Sequence, residues 1–189
     1  MANKDPERRA QTRKRIMDAY WDLYASDPPR NVTVSAVIAK AGVHRSTFYE
    51  YFADADAVLV AIEDELAALF EAEAIGALSG GNADPAAIVQ RVYVKHGDML
   101  SVLLGDAGDQ RFARRVKEAL KPAAMQELDL AGSPFSPYLF EFAATGLLAA
   151  ASLWYERGCD LEPGEFGNGI RATLMAVMSQ ANVANQTVI

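Results

Sequence analysis

Between Thr33 and Phe52 the sequence specifies two short helices held around one glycine, and few folds accommodate that arrangement. Thr33 is an N-cap type of residue, with a hydroxyl able to accept a backbone N–H of the first turn. The run Val34–Ala41 places Val34, Val37 and Ile38 on one side of a helix. Gly42 follows where a positive φ costs least, so it ends that helix and turns the chain. Val43 closes the turn, and a second helix is expected from about Arg45 to Tyr51 with Phe48 and Phe52 facing inward. The outward residues Arg45, Ser46, Thr47 and Tyr49 all donate or accept hydrogen bonds. A polar helix face held rigidly by a turn is what reading base edges in the major groove requires. An ordinary helical hairpin with a solvated face has the same spacing.

The remaining segments also read as helix. Ile16, Ala19, Tyr20, Leu23 and Tyr24 recur at three- and four-residue spacing, which predicts a helix from about Glu7 to Ser26, stopped by Asp27-Pro28-Pro29. Asp54 caps a long amphipathic helix whose inner side carries Val58, Leu59, Ile62, Leu66, Leu69 and Phe70. The stretch Gly76–Asn82 is the clearest loop, and Asp84-Pro85 restarts a helix that runs to about Leu104. Gly105–Gly108 breaks it. Another helix spans Gln110 to Leu120, its end disturbed by Pro122, and Ala131–Pro134 is a further loop. Long helices follow at about Pro137–Arg157 and Pro163–Ala181, with the last eight residues frayed. No strand-like alternation and no internal repeat is visible. The expected architecture is all-α: a three-helix head over residues 1–53 and a helical body over 54–189.

Charge divides the chain at the same place. The formal net charge of −7 argues against nucleic acid as a partner when taken whole. Residues 1–52 nevertheless hold nine Lys/Arg against six Asp/Glu, while the remainder holds nine against nineteen. Salt screens charges beyond roughly 8–10 Å, so a locally basic head can approach phosphate ahead of an acidic body. The single cysteine, Cys159, forms no intrachain disulfide, and His44 and His96 make no local metal motif. No nucleophile–base arrangement or phosphate-binding glycine loop is present, so neither enzyme chemistry nor a cofactor is expected. The N-terminus has no apolar run behind its charges, which predicts a cytoplasmic protein without a signal peptide.

The words Thr33-Val34, Ile38-Ala39, Ala41-Gly42-Val43, Ser46-Thr47-Phe48-Tyr49 and Tyr51-Phe52, with the basic helix before them, resemble the TetR family of bacterial regulators over about residues 8–66. The resemblance implies a homodimer on a palindromic operator in double-stranded DNA, usually a repressor, released when a small molecule enters the body. By position Arg45, Ser46 and Ser35 would face bases, and Arg45 is the first candidate for direct readout because its forked guanidinium pairs with guanine O6 and N7. Thr33, Thr47, Tyr49, Tyr51 and Lys40 would mostly hold phosphates, with His44 touching backbone or solvent in preference to a base. One departure stands out. The family commonly places a lysine after the Tyr-x-Tyr/His-Phe words, and here Ala55 occupies that place between Asp54 and Asp56. This weakens non-specific affinity or shifts the load to Arg8, Arg9, Arg13 and the helix N-terminus itself.

In the body, the run Tyr138–Trp154 has one charged residue, Glu141, and many small ones. Its length nearly suffices to span a membrane, but the internal Glu141 and the flanking loops favour a buried helix of a soluble protein instead. By resemblance, the helices at about 137–157 and 163–180 form the homodimer interface. Tyr93, His96, Met99, Tyr138, Phe142 and Trp154 could line an apolar effector pocket, although each is a common core or interface residue too. Nothing names the effector. The alternative function is a helical interaction module whose head docks a protein partner.

Overall fold

The computed structural model describes residues 6–26, 31–81, 84–105, 108, 110–127 and 134–186, the side chains of the final helix up to Val177. These form α1 (Pro6–Ala25), α2 (Val34–Ala41), α3 (Arg45–Tyr49), α4 (Ala55–Ser79), α5 (Pro85–Leu104), α6 (Gln110–Glu127), α7 (Ser136–Glu156) and α8 (Pro163–Gln186), with no strand among the described residues. The fold is therefore all-α. The stop expected at Asp27-Pro28-Pro29, the Ala131–Ser133 part of the loop before α7, and Asn82 and Asp106-Ala107 lie outside the described residues.

Contacts gather into two compact units, one ending at Leu66 and one beginning at Ala67, so α4 starts in the first and finishes in the second. In the first unit, α1 buries Ile16, Ala19, Tyr20 and Tyr24, the face anticipated from their spacing, with Leu23 half-buried at its edge. Val37, Ala41, Phe48 and Phe52 complete this small core together with Val58, Ile62 and Leu66 of α4. Asp54 Oδ1 accepts the Ala57 N–H at 2.7 Å, which caps the start of α4.

In the second unit, α5 is the central element and packs on α6, α7 and α8. Asp84 Oδ1 accepts the Ala86 N–H at 2.9 Å and Pro85 occupies the first turn, where its missing donor would have been unsatisfied in any case. Ile88, Val89, Val92, Tyr93, Leu100 and Leu103 are buried along it. Tyr93 Oη and Ser152 Oγ of α7 lie 2.8 Å apart, and burial pushes the Tyr93 phenol up to about 12. Trp154 stacks on Phe166 of α8 at 4.6 Å between centroids, and its Nε1–H donates to the Leu161 carbonyl at 3.0 Å.

Four local features differ from the sequence expectation. α3 ends at Tyr49, and the chain reaches Phe52 by a tight turn in which the Tyr51 and Phe52 N–H groups both meet the Phe48 carbonyl at 3.0 Å. α6 continues through Pro122 to Glu127, because that proline lies on the exposed face where the carbonyl it deprives of a donor is open to water. α8 extends to Gln186, past the point where fraying was expected. α5 loses helical geometry at His96 (φ −135°, ψ 20°), ahead of Gly97. No helix among the described residues is long and apolar enough to cross a membrane.

Candidate nucleic-acid interface

The α2–α3 pair is fixed from both ends. Thr33 Oγ1 accepts the Ala36 N–H at 3.3 Å, and Gly42 adopts a left-handed conformation (φ 61°, ψ 41°) with its N–H on the Ile38 carbonyl. The Val43 N–H also reaches Ile38 O, at 3.3 Å, so the carbonyl end of α2 is satisfied before the chain turns into α3. Phe48 is fully buried and makes an edge-to-face contact with Tyr49 at 5.5 Å and a tilted contact with Phe52 at 6.0 Å. One apolar anchor thereby sets the direction of every other side chain on a helix of five residues.

With Phe48 inward, Arg45, Ser46 and Tyr49 are exposed and Thr47 is half-buried. Thr33, Ser35, Lys40 and His44 are exposed as well, and Tyr51 is half-buried. His44 holds the N-cap position of α3 but makes no side-chain cap. The α2–α3 pair thus carries all nine sequence-predicted contact residues at the surface or its edge.

Several cations here rest on aromatic rings or acids. Arg45 Nη2 donates to Tyr49 Oη at 3.2 Å, and its guanidinium lies 5.5 Å from the centroid of the same ring. Arg9 of α1 lies over Tyr51 at 5.6 Å, and Arg13 over Phe52 at 5.5 Å while pairing with Glu65. Lys40 Nζ meets Asp22 at 3.2 Å, and Lys14 meets Asp18 one turn away. All are solvent-facing pairs of small energy, about 1 kcal/mol or less, so they orient the side chains without holding them back from a stronger anion. The seating of Arg9 and Arg13 on the rings of Tyr51 and Phe52 was not visible in the sequence, which brings those residues together only through the packing of the unit.

The residues expected to line an effector pocket do not converge. Tyr93 and Trp154 are buried in the packing described above, Met99 is half-buried, and Phe142 and Tyr138 are exposed at 61% and 73%. His96 alone of these borders a sizeable cavity, of about 510 Å³, between α4 and α5. Its other walls include Leu69, Glu73, Arg91, Val92 and Lys95, and Arg91 Nε donates to Glu73 Oε2 across it at 2.7 Å. Arg91 and Lys95 stand one turn apart on α5, a spacing the sequence displays, but nothing in it tells that α4 leaves room opposite them.

Residues 16–62 match the family model described as bacterial regulatory proteins, tetR family, a span from mid-α1 into α4. No curated protein sequence matches the chain. Among solved structures, a TetR-family transcriptional regulator from Syntrophomonas wolfei superposes with a TM-score of 0.70 at 15% identity, covering 90% of this chain and 96% of that one. A TetR transcriptional regulator from Streptococcus agalactiae gives 0.66 at 18% identity, with 89% and 96% covered. A fatty acid degradation regulator from Bacillus halodurans gives 0.66 at 14%, with 92% and 97% covered. At these identities the superpositions establish a shared fold across both units.

Proposed function

We propose that this chain is a regulator of the TetR family, a repressor that binds a palindromic operator as a homodimer and releases it when a small molecule occupies the body. In this reading residues 1–53 are the DNA-binding domain and 54–189 the effector-binding and dimerisation domain. The observation that carries it is the exposed Arg45–Ser46–Tyr49 face on the fully buried Phe48. A short helix presenting donors from its first turn suits base edges in the major groove. Arg45 is assigned to guanine, Ser35 and Ser46 to neighbouring base edges, and Thr33, Lys40, Thr47, Tyr49 and Tyr51 to phosphates, with His44 at the backbone. Arg9 and Arg13 join them in place of the lysine absent at Ala55.

The homodimer is supported by one face of α7. Tyr138, Phe142, Thr145, Gly146, Ala149 and Leu153 recur at three- and four-residue spacing and are all exposed, although the opposite face is core. Large apolar side chains on a surface of small residues fit a self-complementary two-fold contact, and exposed Met175 and Val177 extend it to α8.

Gel shift against DNA upstream of the chain's own gene tests the reading, with Arg45→Ala as the diagnostic variant. The expected result is retention of one fragment by the wild type. For the variant we expect specific affinity to fall about 10-fold or more and operator selectivity to relax, with dimerisation unchanged. No retention at low salt overturns the proposal, and unaltered operator selectivity in the variant removes Arg45 from its assigned role.

A further inference from the structure

The α4/α5 cavity has a chemistry of its own. Its volume of about 510 Å³ lies within the range of small-molecule sites. Leu69, Ala72, Ala77 and Val92 give it apolar walls, and its charged lining consists of Arg91, Lys95 and Glu73. The Glu73 carboxylate is committed to Arg91. Lys95 makes no ion pair among the described residues, so one positive charge is left over in a chain whose net charge is −7. Short connection between α4 and α5 means that the two helices run in opposite directions. Leu69 therefore lies toward Lys95 and His96, and the carbonyl end of α4, near Gly80, lies at the far end. An anionic group belongs beside Lys95, the lining cation that no carboxylate of the described residues pairs.

A second observation falls on the same wall. The break in α5 is at His96, and at the adjoining Gly97 an added Cβ would stand 2.2 Å from the Tyr155 ring of α7. Material entering the cavity therefore meets α5 where its helical geometry is interrupted and beside the residue that packs against Tyr155 of α7.

We propose that the α4/α5 cavity binds a small organic anion, its acidic group held by Lys95 with Arg91 and its apolar part laid along Leu69 and Val92. The inference rests on the effector-released regulator described above and gives that effector a chemical class. Arg91 can turn from Glu73 to a ligand oxygen at small cost because their pair is partly solvent-exposed.

The test uses the full chain and calorimetric titration with butyrate, hexanoate, octanoate and benzoate, each beside its matched amine and alcohol. Two variants accompany the wild type. Lys95→Gln removes the charge from an exposed position, and Gly76→Leu fills the cavity from α4, where a Cβ meets nothing within 4 Å and the helix gains propensity. At least one carboxylate is expected to bind the wild type about 10-fold more tightly than its amine and alcohol. Lys95→Gln is expected to erase that preference and Gly76→Leu to abolish binding. The inference is overturned by equal binding of the neutral or cationic partners, by failure of every carboxylate, or by wild-type binding in either variant. Operator affinity, measured separately, keeps the two readings apart. A bound carboxylate that leaves it unchanged sustains the anion site and overturns its effector role, and failure to bind any DNA overturns only the regulator.

Discussion

The α2–α3 pair and the α5–α7 pair each depend on a glycine, for opposite reasons. Gly42 has open space around it, with nothing within 4 Å of an added Cβ, and is needed for its backbone, at φ 61°. Gly97 sits at no positive φ and is needed for the space that Tyr155 occupies. The first requirement is local and follows from two or three residues of chain. The second is tertiary and exists only once α7 has come to lie on α5. In the α2–α3 pair the polar residues are displayed outward on a buried aromatic anchor. In the second, polar pairs such as Tyr93–Ser152 are folded into the packing itself.

The comparison can be broken most forcefully at the anchor. Phe48→Ala should cost about 3–5 kcal/mol, because a fully buried ring is replaced by a cavity. Hydrogen exchange should then accelerate across α2 and α3 while α5 and α7 remain protected; uniform acceleration would mean that the two units do not differ in this way. A smaller effect is expected at Gly97→Ala, which overpacks α5 against α7 by about 1–3 kcal/mol in thermal unfolding. Truncating the ring, as Tyr155→Ala in the same chain, should recover most of the loss attributable to the clash. Failure of that rescue would show that Gly97 is there for its backbone after all. Gly42→Ala is expected to cost the least, about 1–2 kcal/mol of left-handed strain. No neighbouring truncation should relieve it, while Gly42→Asn should be the milder replacement. Rescue by trimming a neighbour would make Gly42 a packing residue and remove the contrast.

The same division explains what could be read beforehand. Thr33, Gly42, Asp54 and Asp84-Pro85 act through bonds to residues two to four positions away, so their roles follow from order in the chain. The helical face of α1 was legible for the same reason, since periodicity is itself local, and that of α2 in part, with Val37 buried, Val34 and Ile38 half-buried and Ala41 buried beside them. The break at His96, the passage of α6 through Pro122 and the seating of Arg9 and Arg13 on aromatic rings depend on partners elsewhere in the chain. The exposure of the α2–α3 residues was therefore legible in the sequence. The α4/α5 cavity was legible only at His96: Tyr93 and Trp154 are consumed by Ser152, Phe166 and Leu161, whereas the other walls include Leu69, Glu73, Arg91 and Lys95.

The contact between Arg45 and Tyr49 carries a consequence for how quickly a duplex could be sampled. A free arginine explores many rotamers, and immobilising such a side chain in a complex costs about 0.5–1.5 kcal/mol. Here the guanidinium lies against one ring, one turn along a five-residue helix. Part of the ordering that the proposed base contact would demand is then already in place. If Arg45 reads a base as proposed, a head prepared in this way would test a site and leave it with less side-chain rearrangement.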